Sequence, residues 1–200
     1  MELKLYRSSL ILAPLCYTIS GFFWLNGGQY SVTCGTFVVI GSFFWVFAFD
    51  GLFGLLKNKT PVYVAWGKAI AIYGAVCGGV AFGLQGMFIE MFNISHTAML
   101  QALAQHPVAA NLIFWFGGPA FPLSILVLGI TLCVKKVVPV WVGVLLAVGG
   151  LLFPVSRILR IESIGHVVDL LILVPTWYIA VMILRKSINR DLSSYKPSLN

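Results

Sequence analysis

Six apolar runs of about 20 residues or more follow one another with only short connections between them, and this constrains the chain before any motif is considered. A helix needs roughly 20 mostly apolar residues to cross a bilayer. The runs fall at residues 8–28, 31–56, 63–92, 111–134, 139–156 and 162–184. Only 10% of the 200 residues are charged, and 60% are hydrophobic, whereas a soluble domain carries about 25% charged residues. Ionised groups are costly in hydrocarbon, so a deficit of this size implies helices that face lipid and one another. The expected fold is an all-α membrane protein: a single polytopic transmembrane domain over residues 1–200, built as a bundle of six transmembrane helices.

The positions of lysine and arginine orient that bundle. Lys4 and Arg7 precede the first run, and the next connection, "NGGQYS", has no basic residue. Lys57 and Lys59 occupy the second connection, the third has none, and Lys135 and Lys136 occupy the fourth; Arg185, Lys186, Arg190 and Lys196 follow the last run. Basic residues collect in cytoplasmic connections. Their alternation therefore implies an even number of spans with both termini cytoplasmic. The net charge of +7 is explained by this topology, and no nucleic-acid partner is expected. The first run continues through "FFWL", beyond the length of a signal-peptide apolar core, and reads as a retained span. The expected setting is a cell membrane crossed several times, with the lipid bilayer itself as a partner and a homo-oligomer compatible with the pattern.

The third connection, "NISHTAMLQALAQHPVAAN", is long enough for a short interfacial helix on the outer side. Residues 95–106 fit one, with Ser95 as its cap and Pro107 marking its end. Within the spans, Gly74 with Gly78 and Gly79 with Gly83 form overlapping pairs of small residues that let helices approach closely. In "FGGPAFP", residues 116–122, two glycines and two prolines are expected to disturb helical hydrogen bonding. Cys16, Cys34, Cys77 and Cys133 sit singly in apolar segments without a C-x-x-C pair, so they read as packing residues.

The stretch "FWFGGPAFPLSILVLGITLCVKKVVPVWVGVLLAVGGLLFPVSR", residues 114–157, resembles a family of bacterial polytopic membrane proteins classed only as a domain of unknown function. The resemblance implies a helical membrane architecture and a bacterial inner-membrane location. It implies no activity and no catalytic residue.

One stretch departs from the pattern. "RILRIESIGHVVD", residues 157–169, places Arg157 and Arg160 in a connection that the alternation assigns to the outer side, followed by Glu162, His166 and Asp169. The last three are spaced i, i+4, i+7, which puts them on one helix face. Asp169 then lies roughly 10 Å deeper than Glu162. A carboxylate at that depth requires a partner or a proton; Arg157, Arg160 and His166 are the candidates. Glu90, Gln85, His96 and His106, with the neutral Asn26, Gln29, Tyr30 and Asn111, fall toward the same side. Together they supply the ingredients of an outward-facing polar pocket. Near the other side, Asp50 and Lys68 lie at comparable depth on neighbouring runs, as expected for a structural ion pair.

These residues support three readings. In the first, the pocket binds, and in one version moves, a small anionic ligand or lipid headgroup through Arg157 and Arg160, because guanidinium donors match carboxylate and phosphate geometry. In the second, the protein is a membrane-embedded enzyme acting on a lipophilic substrate, with Glu162 or Asp169 as acid and His166 as base. In the third, it is a structural subunit of a membrane complex. The histidines lack a metal-binding motif such as H-E-x-x-H, so no metal or other cofactor is expected.

Overall fold

A computed structural model describes the backbone of residues 2–25 and 27–194, and the side chains of residues 4–25 and 27–185. Among the described residues the chain forms helices α1 (Glu2–Ser20), α2 (Val32–Gly54), α3 (Pro61–Met91), α4 (His96–Ala104), α5 (Pro107–Val134), α6 (Val140–Leu159) and α7 (Glu162–Ser194). A small antiparallel hairpin follows α1, with β1 (Trp24–Leu25) and β2 (Gln29–Tyr30) pairing Trp24 with Tyr30 and Leu25 with Gln29. Helices α2, α3, α5, α6 and the part of α7 through Arg185 are each long and apolar enough to cross a membrane. The fold is that of a multi-pass helical membrane protein.

The first apolar run divides where one continuous helix is expected. Helix α1 stops at Ser20, and the chain passes through a tight turn at Gly21–Phe23 into the hairpin. Gly27 and Gly28 take positive φ angles of 81° and 71°, a region open to glycine at little cost, and so reverse the chain. Asn26 lies outside the described residues. Lys4 and Arg7 lower the mean hydropathy of α1, yet the helix packs between α2 and α7 in the bundle.

Pro107 opens α5 as its first residue, where a missing N–H costs nothing, so it starts a helix as well as following one. In α4 the Ser95 hydroxyl caps the helix, accepting from the Ala98 N–H at 3.1 Å. The disturbance expected at "FGGPAFP" lies one turn earlier. Residues Asn111–Trp115 form a widened turn, in which the Phe116 N–H bonds the Asn111 carbonyl at 2.9 Å. An extra residue in that turn eases the crowding that the Pro119 ring imposes on the preceding turn. Helix α3 widens in the same way over Gly74–Val80, and the Tyr73 hydroxyl donates to the Leu112 carbonyl beside both widened turns.

The two glycine pairs serve two neighbours. A Cβ on Gly78 would stand 2.4 Å from the Gly117 carbonyl oxygen, and one on Gly74 would stand 2.3 Å from the Phe121 nitrogen; both contacts are with α5. Gly79 faces the Ser42 and Tyr17 hydroxyls and Gly83 faces Val39 and the Gly35 carbonyl, so this pair mainly meets α2. Side by side on α3, the pairs let one helix approach two others to backbone distance. The centre of the bundle is aromatic: Trp45 packs on Phe49 and Phe121 with ring centroids 5.1 and 5.2 Å apart, and Tyr17 and Phe153 pack on Phe121 at 5.5 and 5.4 Å. Cys16 and Cys34 are buried in the bundle, Cys77 and Cys133 are half-buried, and all four are free thiols.

Candidate functional site

Helices α6 and α7 are joined by a two-residue link, and the ionisable residues of 157–169 gather around it. Arg160 ends α6 in the left-handed conformation, with φ 55°, a position usually taken by glycine. The reversal separates the two arginines. Arg157, still on α6, turns inward and donates from Nη2 to Asp169 Oδ1 at 2.8 Å; the two side chains retain 14% and 1% exposure. Arg160 turns toward α4, where its Nη2 donates to His96 Nε2 at 2.9 Å. Of the three partners open to Asp169, the fold selects Arg157.

Aromatic rings complete the setting of Arg157. Its guanidinium carbon lies 4.6 Å from the Phe153 ring centroid and 5.1 Å from that of Trp24, which in turn packs on Tyr30. Rings at this distance attract a cation through their quadrupole. They offer no acceptor in the plane of the guanidinium, however, and Arg157 Nε and Nη1 are buried without a hydrogen-bond partner. His166 Nδ1 and Asp169 Oδ2 are likewise buried and unpartnered. Both approach Gly21: a Cβ there would stand 3.0 Å from His166 Nδ1 and 3.6 Å from Asp169 Oδ2. Phe22 stacks on the His166 ring at 4.3 Å, and His166 Nε2 lies 3.5 Å from Glu162 Oε1, whose side chain is 59% exposed. The space beside Asp169, bounded by Pro14, Tyr17, Trp45 and Ile172, is too small to admit a water molecule.

The remaining candidates do not join this cluster. Glu90 accepts from the Val32 N–H at the start of α2, where unpaired N–H groups and the helix dipole favour an anion; Ser31 Oγ accepts from Cys34 N in the same turn at 3.0 Å. Gln85 is buried within α3, and His106 is exposed at the start of α5. Among the described residues, no three His, Cys, Asp or Glu side chains converge as a metal site would require. Toward the opposite end, Lys68 Nζ donates to Asp50 Oδ1 at 2.8 Å, with side chains still 38% and 35% exposed. An ion pair with this much exposure contributes little: Lys68→Met is expected to change stability by less than about 1 kcal/mol in chemical denaturation, and a larger loss would mean that the pair is enclosed.

The aromatic and glycine components of the cluster, Trp24, Phe22, Phe153, Gly21 and Gly165, carry no local signal in the sequence. Trp24 and Phe22 stand in what reads as an ordinary apolar run. Gly165 gives the cluster room: a Cβ there would stand 3.1 Å from Arg157 Nη1 and 3.3 Å from Trp24, tight contacts that only the folded chain creates.

The Arg160–His96 contact is sensitive to pH. An arginine N–H can only donate, so His96 Nε2 must be the unprotonated acceptor. Burial, and then the adjacent guanidinium, hold the imidazole below its ordinary value of 6.5. With a depressed folded value, the unfolded chain binds more protons below pH 6.5. The contribution of this contact is therefore present above that pH and is lost as pH falls through the folded value. Amide exchange over residues 93–106 is expected to accelerate on acidification, and Arg160→Gln to move the His96 titration upward. A His96 titration unchanged by Arg160→Gln would disprove the coupling.

Comparison with known proteins identifies no matching family model, curated protein or solved structure.

Proposed function

We propose that the chain is a six-span membrane protein with both termini in the cytoplasm, and that it recognises a small anionic group, a carboxylate or a phosphate, at Arg157 on the opposite face. The observation that carries this reading is the unspent guanidinium: Asp169 takes only Nη2, while Nε and Nη1 are enclosed without acceptors. Burying an unsatisfied donor costs about 1–3 kcal/mol, and an oxyanion accepting from Nε or Nη1 would form a charge-assisted hydrogen bond, the strong kind. His166 lies beside the guanidinium's partner, with one ring nitrogen unpartnered. Trp24 covers the guanidinium, so entry requires the hairpin to move aside.

The topology has support of its own. Lys59 Nζ donates to the Lys135 carbonyl at 2.6 Å, joining two of the basic connections at one end of the bundle; the Arg160–His96 contact joins two connections at the other. Helix α1 is then the sixth span and α4 an interfacial helix on the outer face. Kinship with the bacterial family suggested by residues 114–157, and an inner-membrane location, belong to the same proposal. Cysteines introduced at Lys136 and at Gln101, in a background without native cysteine, are expected to react with an impermeant reagent from opposite sides. Same-side labelling would overturn the six-span arrangement.

Ligand recognition is tested on the detergent-purified full chain with inorganic phosphate, acetate and phosphatidylglycerol as probes. At tenfold over Kd a bound anion stabilises by about 1.4 kcal/mol, or about 3–6 °C in Tm for a chain of this length. The double variant Arg157→Gln/Asp169→Asn is expected to fold and to lose that response. Stabilisation by phosphate or acetate indicates a soluble ligand, and stabilisation by the lipid alone a headgroup. If no anion raises Tm, or the double variant responds as fully as the wild type, the proposal fails.

A second reading is a structural lock at the α6–α7 link, favoured by the lack of water-sized space beside Asp169. The acid–base enzyme reading draws on the 3.5 Å approach of Glu162 to His166, and requires a lipophilic substrate to reach His166 past Phe22.

A further inference from the structure

A groove of about 610 Å³ runs along the outside of the bundle where the first turn of α6 meets the second half of α7. Its size is within the roughly 300–1,000 Å³ of small-molecule sites. Trp141 and Tyr178, edge to face at 5.0 Å, form one wall; Leu173, Trp177 and Met182 line its length, and Arg185 stands at its end. Antiparallel α6 and α7 put that end on the same side as Lys135 and Lys136. Tyr178 and Arg185 are seven residues apart on one helix, so the guanidinium lies roughly 10 Å beyond the aromatic pair, where an interfacial arginine extends its charged head out of hydrocarbon.

We propose that this groove binds an anionic phospholipid, with an acyl chain along the Trp141–Trp177 trough and the phosphate on Arg185. Two observations select a lipid over a protein helix. Helices associate in membranes through small residues that allow backbones to approach, yet among the described residues no Gly, Ala, Ser or Thr lines the groove. The small residues of this part of α7, Thr176 and Ala180, are buried in the bundle instead. A surface of large rings and branched side chains is rough at the scale of a helix backbone, whereas a flexible chain can follow it. The charge then selects the headgroup. Among the described residues, none of the ion pairs involves Arg185 and no carboxylate lines the groove, and Lys135 and Lys136 add positive charge at the same end. Such a site retains an anionic headgroup over a zwitterionic one.

The test is native mass spectrometry of the full chain released from mixed micelles containing phosphatidylglycerol and phosphatidylcholine with identical acyl chains. Phosphatidylglycerol is expected to be retained preferentially. One basic side chain near a membrane surface contributes about a fivefold preference for anionic lipid. Arg185→Gln should therefore lower phosphatidylglycerol retention about fivefold without changing phosphatidylcholine, and Arg185→Lys should keep most of it. Trp177→Ala should lower retention of both lipids by opening the trough. Because Arg185 is exposed, its substitution does not threaten folding. Equal retention of the two lipids, or an Arg185→Gln variant that behaves as the wild type, overturns the proposal. A dimer that Trp177→Ala dissociates also overturns it, in favour of a second copy of the chain. Loss of retention in Arg157 variants but not in Arg185→Gln would assign the lipid to the other end of the bundle, which refutes this site while leaving the proposed anion recognition standing.

Discussion

Asp169→Asn is expected to destabilise the protein by about 3–5 kcal/mol, the cost of leaving one member of a buried ion pair without its partner. The side chain is almost fully enclosed and its partner Arg157 nearly so, so water cannot replace the lost charge. The two aromatic rings against the guanidinium soften the loss without supplying an acceptor. Glu162→Gln, whose side chain is 59% exposed, is expected to stay within about 0.5 kcal/mol. Adding Arg157→Gln to Asp169→Asn removes the orphaned charge and should restore most of the stability measured by denaturation in detergent. That restoration separates the functional readings. Folding regained without anion binding supports recognition by Arg157; folding and anion binding both regained would leave Arg157 as a structural lock only. If Asp169→Asn alone unfolds at the wild-type midpoint, the pair contributes nothing and the account of the cluster is wrong.

Gly78→Leu is expected to be at least as damaging. A Cβ at this position stands 2.4 Å from the Gly117 carbonyl oxygen and 2.6 Å from its carbon. Those are backbone atoms on α5 and cannot rotate away as a side chain end would, so α3 and α5 must separate. Overpacking typically costs about 1–3 kcal/mol; with backbone on both sides, about 3 kcal/mol or more is expected here, together with a sharp fall in the yield of folded protein. Gly54→Leu is the control, because a Cβ there meets nothing within 4 Å. Equal yields of the two variants would show that α3 and α5 do not cross at Gly78. The neighbouring widened turns of α3 and α5, linked by the Tyr73 hydroxyl and the Leu112 carbonyl, would separate with them.

The sequence by itself determined the class of the molecule and most of its helices, because long apolar runs with few charges have one economical solution in lipid: a helix that satisfies its own backbone. Five such helices lie close to the predicted runs. Ser95 marked its helix start because a capping hydroxyl acts within one turn. The two small-residue pairs on α3 were legible as contact faces, although which neighbour each would meet was not. Glu162, His166 and Asp169 were legible as one group because helical periodicity alone places them together.

Tertiary structure decided what depends on segments far apart in the chain. The choice of Arg157 over Arg160 turns on the left-handed ending of α6, which sends two arginines three residues apart to different partners. The division of the first apolar run reflects the packing of Phe22 and Trp24 on His166 and Arg157, residues more than 130 positions later. Glu90, a natural member of a polar pocket by position, instead stands at the N–H groups opening α2, because α2 and α3 pack antiparallel and bring its carboxylate to that helix end. Hydrophobic runs and caps act locally and are written in order along the chain; ion-pair partners, aromatic covers and close backbone crossings exist only once the helices have packed.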